Sequence, residues 1–214
     1  MIKIGNNLSE FSTYSCQPTT RDELKDIIKH RIEKEGPNCN LNDIDTSLIT
    51  DMSCLFYDSR FNGDISKWDV SNATNMWYMF GNSKFNGDIS GWDTRNVLNM
   101  NYMFCNANFN GDISNWDVSN VTDMGHLFSD SRFNGDISRW NVSKVKTMRG
   151  MFKGSHFNGY ISNWNVSNVI DMYGMFYESQ FKQDISNWKI NEDCDTTYMF
   201  GECFIKREFK PKLK

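Results

Sequence analysis

One stretch of sequence recurs every 24 residues through most of this 214-residue chain. Its best-preserved copy runs from Phe61 to Lys84, and six copies follow one another without insertion or deletion. A fixed period of 20 to 50 residues indicates stacked units, each of which covers the apolar face of its neighbour. We therefore predict one elongated body. The columns predicted to face inward are Phe61, Ile65, Trp68, Val70, Ala73, Met76, Met79, Phe80 and their equivalents in the other copies.

The repeat is too short to hold two helices and their turns, which need a period of about 34 residues. Its corners carry turn-forming residues, Asn-Gly-Asp at 62–64 and Ser-Asn at 71–72, with short segments containing Val, Thr and Ile between them. These segments have the length of a short strand, and neighbouring strands lie about 4.8 Å apart. We therefore predict a mainly β fold of about seven coils, the first of which (38–60) is degenerate.

The segment before the repeat predicts one amphipathic helix. Thr20 and Glu23 form a capping box, apolar residues follow at helical spacing from Leu24, and Gly36 ends the pattern. The first coil of a stack leaves its apolar side open. We therefore predict that residues 20–35 form a helix that covers this side. A helix that binds a partner is the alternative.

These patterns divide the chain into three parts. Residues 1–37 hold an irregular lead-in and the capping helix, and residues 38–204 hold the repeat. Residues 205–214 form a basic C-terminal tail that is expected to be solvated, with contact to an acidic surface as the alternative.

Charge, hydropathy and cysteine placement narrow the class of protein. The net charge of −4 is too small to indicate nucleic acid or an anionic membrane as partner, and no apolar run is long enough for a membrane span. The segment from Met1 to Leu8 lacks the apolar core of a signal peptide, so the chain as written is expected in the cytoplasm. The six cysteines share no repeat column and are predicted to be free, with a Cys194–Cys203 bridge as the alternative.

Two columns of acidic residues are the most regular polar feature of the repeat. Stacked like charges about 5 Å apart repel one another unless they are hydrated, hydrogen-bonded or bridged by cations. In the second column Asn replaces Asp, and because Asn accepts the same hydrogen bond we predict that these side chains cap turns. Calcium bound at the Gly-Asp corner is the alternative. The first column holds Asp64, Asp88, Asp112, Asp136, Tyr160 and Asp184. The second column holds Asp69, Asp93, Asp117, Asn141, Asn165 and Lys189.

No arrangement typical of an enzyme is evident. The acids form equivalent rows instead of an isolated pair with separated pKa values. His30, His126 and His156 lie far apart in the chain, and no P-loop or nucleotide-binding glycine motif occurs. We predict that the protein is not an enzyme and has no metal site and no cofactor.

The columns whose residues vary from coil to coil predict the binding face. Buried columns keep one type of residue, whereas the two positions after the first repeated Met do not. They include Trp, Tyr and Arg, which are common at the energetic centres of protein interfaces. Unselected variation of a surface is the alternative. The candidate binding residues are Trp77, Tyr78, Asn101, Tyr102, His126, Arg149 and Tyr173.

The unit Phe-Asn-Gly-Asp-Ile-Ser-x-Trp-Asp-Val-Ser-Asn-Val-Thr-x-Met-x-x-Met-Phe resembles the repeat of BspA-like leucine-rich-repeat surface proteins. The same repeat was catalogued among mycoplasmas as a domain of unknown function. The resemblance covers about residues 19–204. It implies a right-handed, leucine-rich-repeat-like solenoid that binds a protein or extracellular-matrix ligand and is often displayed on bacterial surfaces.

The expected function is therefore non-enzymatic recognition of a protein or matrix ligand through the variable columns. Two alternatives stay open: a structural rod that self-associates, and a calcium-dependent binding module. The resemblance favours the cell surface as location, whereas the N-terminal sequence favours the cytoplasm.

Overall fold

The computed structural model describes residues 14–213. Within this range it contains one α-helix, α1 (Arg21–Glu35), and one short 3-10 helix, Arg207–Phe209. Most of the predicted lead-in, residues 1–13, lies outside the described residues, as does the segment used to judge the signal peptide. None of the helices in the described part is long and apolar enough to cross a membrane.

Helix α1 lies where the sequence predicts it. The Thr20 side chain accepts a hydrogen bond from the Glu23 backbone N–H at 3.3 Å, which satisfies one of the free donors of the first turn. The Glu23 carboxylate accepts from the Thr19 N–H at 2.8 Å. At the other end Gly36 has a φ of 90° and donates to the Ile32 carbonyl. Leu24, on the inner side of the helix, is fully buried in the same core as the first coil.

The prediction of a mainly β fold is wrong. The structure is 9% helical and 6% strand, and residues 14–213 form no sheet. The strand content consists of isolated parallel bridges. Along most of the repeat, each coil is bridged to the next by one residue, and these residues all belong to the same column. That column holds Asp51, Asn75, Asn99, Asp123, Thr147, Asp171 and Asp195.

The chain after each bridge curls instead of extending. Met76, Tyr78 and Phe80 donate backbone hydrogen bonds to the next coil at 2.9–3.0 Å, as in a parallel ladder. The intervening Met79 and Gly81 instead donate to the residue three positions earlier in their own coil, at 3.1–3.2 Å. These bonds close a succession of turns, so that no strand propagates.

Two positions of every coil adopt the left-handed conformation, with φ between 50° and 62°. Residues with this φ reverse the curl of the backbone and allow the turns to follow one another. The first left-handed column holds Cys54, Tyr78, Tyr102, His126, Gly150, Gly174 and Tyr198, and the second holds Asp58, Asn82, Asn106, Asp130, Gly154, Glu178 and Glu202.

The core is a stack of aromatic and aliphatic columns. The predicted inward positions are buried in the six regular coils, except for a few in the last coil, whose sequence departs from the repeat. Equivalent Phe rings lie nearly parallel, as in Phe80 over Phe104 at 5.6 Å between centroids. Each repeated Trp stays within the core and donates its indole N–H to a carbonyl of the preceding coil, as Trp116 does to Ile89 at 3.1 Å. Because each coil contributes both apolar area and hydrogen bonds to its neighbours, the coils stabilise one another.

The acidic columns cap turns, as predicted. Asp112 accepts from the Ser114 N–H at 2.9 Å, and Asp117 accepts from the Ser119 N–H at the same distance. Asn141 makes the corresponding bond at 3.2 Å, so that Asn replaces Asp without loss of the contact. The bridge column forms a third set of such turns.

These capped turns predict an acid-sensitive fold. Hydrogen bonds from the backbone and side chain of the following serine hold the pKa of Asp88 and Asp136 below the ordinary value of 3.8. A lowered folded-state pKa gives stability that is complete above the unfolded value and is lost as pH falls through the folded value. The Tm should therefore fall as the pH drops from about 5 to about 2.5.

The matched variant is Asp88→Asn with Asp136→Asn, because Asn keeps the acceptor and does not titrate. Its Tm, measured by circular dichroism across the same pH range, should fall less steeply than that of the wild type and should be nearly unchanged at pH 7. Equal slopes for the two proteins would contradict the assignment of acid sensitivity to these turns.

The C-terminal segment is more ordered than the sequence predicts. Ile205 and Pro211 are buried, and the Phe209 carbonyl accepts a hydrogen bond from Ile185 at 3.0 Å. The cations Lys206 and Lys212 are exposed, so the prediction of a solvated tail holds only for its charged side chains. The six cysteines are free, as predicted.

Candidate functional site

The candidate binding residues lie along the curled segment of successive coils. In this segment Met and Phe side chains point into the core, and the residues between them reach the surface. The first left-handed column places its side chains one above another, because the same backbone geometry returns in every coil. Stacked equivalents lie about 5 Å apart, close enough for rings to make contact.

Three rings of this column form an aromatic ladder, namely Tyr78, Tyr102 and His126. The Tyr78 and Tyr102 rings lie 4.5 Å apart with an interplanar angle of 10°, and the Tyr102 and His126 rings lie 4.4 Å apart at 13°. Trp77 packs edge-on against Tyr78 at 5.0 Å, and 41% of its surface is exposed. The ladder is half-buried, so its rings are held in place and still reach solvent.

Burial within the ladder changes the acid–base properties of its rings. It raises the pKa of Tyr78 to about 12, so the phenol stays protonated. It lowers the pKa of His126, and the nearby charges of Lys153 and Arg149 lower it further. At neutral pH the ladder therefore ends in a neutral imidazole ring.

The other candidate residues differ in their surroundings. Asn101 donates its side-chain N–H to both carboxylate oxygens of Asp123, at 2.9 and 3.1 Å, and so ties two coils together. Arg149 lies 4.0 Å from the centre of the Tyr173 ring and 3.6 Å from Asp171. The structure thus brings Trp77, Tyr78, Tyr102 and His126 together, places Arg149 with Tyr173 further along, and gives Asn101 a structural contact.

A cleft of about 640 Å³ begins where the aromatic ladder ends. Its floor is Gly150 and Gly174, the next two members of the first left-handed column, with φ of 55° and 58°. A Cβ at Gly150 would lie 2.5 Å from the His126 ring, whereas above Gly174 only the Cβ of Tyr177 comes within 4 Å. The His126 ring therefore lies over Gly150, and the open space of the column lies above Gly174, before the next ring, Tyr198.

Each side of the cleft carries one cation and one tyrosine. Arg149 and Tyr173 form one side, and Lys153 and Tyr177 form the other, with the Lys153 Nζ 5.9 Å from the Tyr177 ring centre. Tyr198 stands edge-on to Tyr173 at 5.8 Å and is 62% exposed.

Sequence reasoning missed five residues of this cleft, namely Gly150, Lys153, Gly174, Tyr177 and Tyr198. Tyr198 and the two glycines belong to a column that the sequence already marks as variable. The sequence alone does not show that the side chains missing at the two glycines leave a space in the stack. Lys153 belongs to another variable column, which also contains Tyr177. The mixed composition of that column, four residues before the first Phe of the next coil, was the signal that could have identified it.

A comparison with known protein families shows which family the chain belongs to. Residues 26–132 and residues 105–212 each match the family described as Mycoplasma protein of unknown function, DUF285. The chain belongs to the DUF285 family. The two matches overlap and together span most of α1 and every coil, as expected for a domain built of repeats. No curated protein and no solved structure matches the chain.

The predicted resemblance to a mycoplasma domain of unknown function is therefore confirmed. The likeness to BspA-like surface proteins stays a prediction. Within residues 14–213 of this DUF285 protein, no group of three or more His, Cys, Asp or Glu could hold a metal ion. The calcium alternative thus gains no support from the geometry.

Proposed function

We propose that this DUF285 protein is a non-enzymatic recognition module that binds a protein ligand through the aromatic ladder and the residues beside it. The observation that carries the proposal is the placement of aromatic rings on left-handed backbone. Tyr78, Tyr102 and His126 have φ of 53°, 58° and 53°, a conformation that costs a residue other than Gly about 1–2 kcal/mol.

The same column contains glycine in two other coils, so the fold accepts the strain-free residue at this position. The second left-handed column mostly shows the usual solution, with Asn or Asp in four coils, Gly in one and Glu in the last two. Strained residues that a fold does not require are concentrated at functional sites. Ring stacking offsets part of the strain, at about 0.5–1.5 kcal/mol per pair, but glycine would avoid it altogether.

The composition and rigidity of the ladder favour a protein ligand. Trp, Tyr and Arg dominate the energetic centres of protein interfaces, because they bury much apolar area and lose little conformational freedom. Here the rings are already fixed by stacking, so binding orders few side chains. The resemblance to BspA-like proteins favours a ligand met at the cell surface, matrix proteins included.

Two features support a non-enzymatic role. The acids of the corner columns are engaged in turns, and His126 and His156 lie in different columns. Burial raises the pKa of Cys105 and Cys194 to about 11, which leaves these thiols protonated and weakly nucleophilic at neutral pH.

The test is a double variant, Trp77→Ala with Tyr102→Ala. Loss of two interface aromatics should weaken binding about ten- to a hundred-fold. The wild type and the variant are immobilised and exposed to matrix proteins and to extracts of the source organism. The affinity of each retained protein for the wild type and for the variant is then measured by titration.

The matched control is Arg139→Ala with Asn163→Ala, which truncates two exposed side chains in a variable column outside the curled segment. It should bind like the wild type, and all three proteins should have similar circular dichroism spectra. A folded ladder variant that retains the same proteins with unchanged affinity would contradict the proposed function.

A further inference from the structure

The cleft beside the aromatic ladder is a place where the repeat leaves out two side chains. Rings occupy the first left-handed column at Tyr78, Tyr102, His126 and Tyr198, and glycines occupy it at the two positions between the last pair. Three coil spacings of about 4.8 Å separate His126 from Tyr198 along the column. A flat ring is about 3.4 Å thick, and neighbouring rings of the ladder lie 4.4–4.5 Å apart. The opening therefore has room for at least one inserted ring.

The walls of the cleft fit an aromatic ring seated in this position. Tyr173 and Tyr177 flank the column, and both stand edge-on to Tyr198, at 78° and 86°. An inserted ring parallel to Tyr198 would meet the face of that ring and would stand edge-on to Tyr173 and Tyr177. Offset-stacked and edge-on contacts are the geometries that aromatic pairs prefer.

The charges at the cleft add a second requirement. Arg149 and Lys153 stand on opposite sides of the opening, and both are exposed. The Arg149 side chain forms a salt bridge with Asp171 at 3.6 Å and lies near Asp195, whose pKa its charge lowers, and no salt bridge involves Lys153 in the described part of the chain. Two cations on either side of an aromatic slot favour a ligand with negative charge next to its ring.

We propose that this cleft binds an aromatic side chain flanked by acidic residues, inserted by a protein partner between His126 and Tyr198. The inference rests on the proposed function and specifies what the partner presents. A peptide is favoured over a free small molecule because the cleft continues into the aromatic ladder, so one extended segment spans both.

The probe is a short peptide with one Trp between Glu residues, and its affinity is measured by calorimetry. Its controls are the same peptide with Leu for Trp, the same peptide with Lys for Glu, and free indole-3-acetate. The Trp peptide should bind at least about ten-fold more tightly than each of the three.

The decisive variant is Gly174→Tyr, which restores the missing ring. The column accepts Tyr at the same φ in three other coils, and the nearest atom to an added Cβ lies at an ordinary 3.6 Å. This variant should weaken peptide binding at least about ten-fold, as should Arg149→Gln with Lys153→Gln. Gly174→Asn, which adds a smaller group that also tolerates this φ, serves in its place if the Tyr variant is unfolded.

The control variant Arg139→Ala with Asn163→Ala lies outside both the ladder and the cleft and should leave the affinity for the peptide unchanged. Peptide affinity that is insensitive to Gly174→Tyr, or equal for the Trp and Leu peptides, overturns the inference. Equal affinity for indole-3-acetate overturns the assignment to a protein segment. If the peptide fails while the ladder variant still loses its partner, the cleft inference fails and the proposed function stands.

Discussion

Phe128→Ala is expected to lower the free energy of unfolding by about 3–5 kcal/mol. Phe128 is fully buried, and its ring centroid lies 4.2 Å from that of Phe133, 5.8 Å from Phe104, 5.9 Å from Phe152 and 6.2 Å from Trp140. The substitution removes the ring that joins these four and leaves a cavity that parallel columns cannot close without shifting a coil. A domain with about 5–15 kcal/mol of stability in total loses a large part of it.

The position of Phe128 in the middle of the stack adds a second effect. Stability in repeat proteins is approximately a sum over units and nearest-neighbour interfaces. A defect in the third regular coil therefore uncouples the coils on its two sides. Urea unfolding followed by circular dichroism should show an earlier midpoint and a broader transition.

Phe204→Ala is the matched control, because Phe204 is 83% exposed. The same change in composition should alter the free energy of unfolding by less than about 0.5 kcal/mol. Similar losses for the two variants would mean that the Phe columns do not hold the stack together.

The core and the helix of this protein could be predicted from the sequence because both depend on periodicity. A column that holds Phe or Trp in every coil can only face the core, and the buried Phe80 and Phe104 lie in such a column. The capping residues Thr20 and Glu23 are local signals, and they act on the N–H groups next to them.

The backbone of the coils could not be predicted in the same way. Segments containing Val, Thr and Ile favour strands. Here each segment is followed at once by a side chain that accepts a hydrogen bond from the backbone N–H of the residue two positions later. Asp123, for example, accepts such a bond from the Gly125 N–H at 2.8 Å. These turns interrupt any strand after a single bridge. The left-handed positions gave no signal where Tyr or His occupies them, because such residues rarely adopt that conformation.

The candidate site was predictable in part. Variable columns identified the ladder residues Tyr102 and His126, since variation marks exposure. They did not reveal the cleft, because Gly150 and Gly174 matter there through the side chains that they lack. Only the stacked geometry turns two glycines 24 residues apart into one opening.

Gly63→Ala is expected to lower the free energy of unfolding by about 3 kcal/mol. A Cβ at this position would overlap the carbonyl oxygen of Cys39 and come within 2.8 Å of the Phe61 ring. The Cys39 carbonyl is fixed, because it accepts a hydrogen bond from the Asp64 N–H at 3.3 Å. Relief of the overlap therefore breaks one of the hydrogen bonds that join the degenerate first coil to the regular ones.

Two other glycines provide the graded comparison for this variant. An added Cβ at Gly135 meets only the Phe133 ring within 3.4 Å, and the same column contains Gln183 in the last coil. Gly135→Ala should therefore lower the free energy of unfolding by less, about 1 kcal/mol. At Gly91 nothing lies within 4 Å, and Gly91→Ala should be neutral or stabilise by about 0.4–1 kcal/mol through the unfolded chain. The midpoints of urea unfolding should fall in the order Gly91→Ala, Gly135→Ala, Gly63→Ala. A Gly63 variant as stable as the Gly91 variant would mean that the first coil is not packed directly against the second.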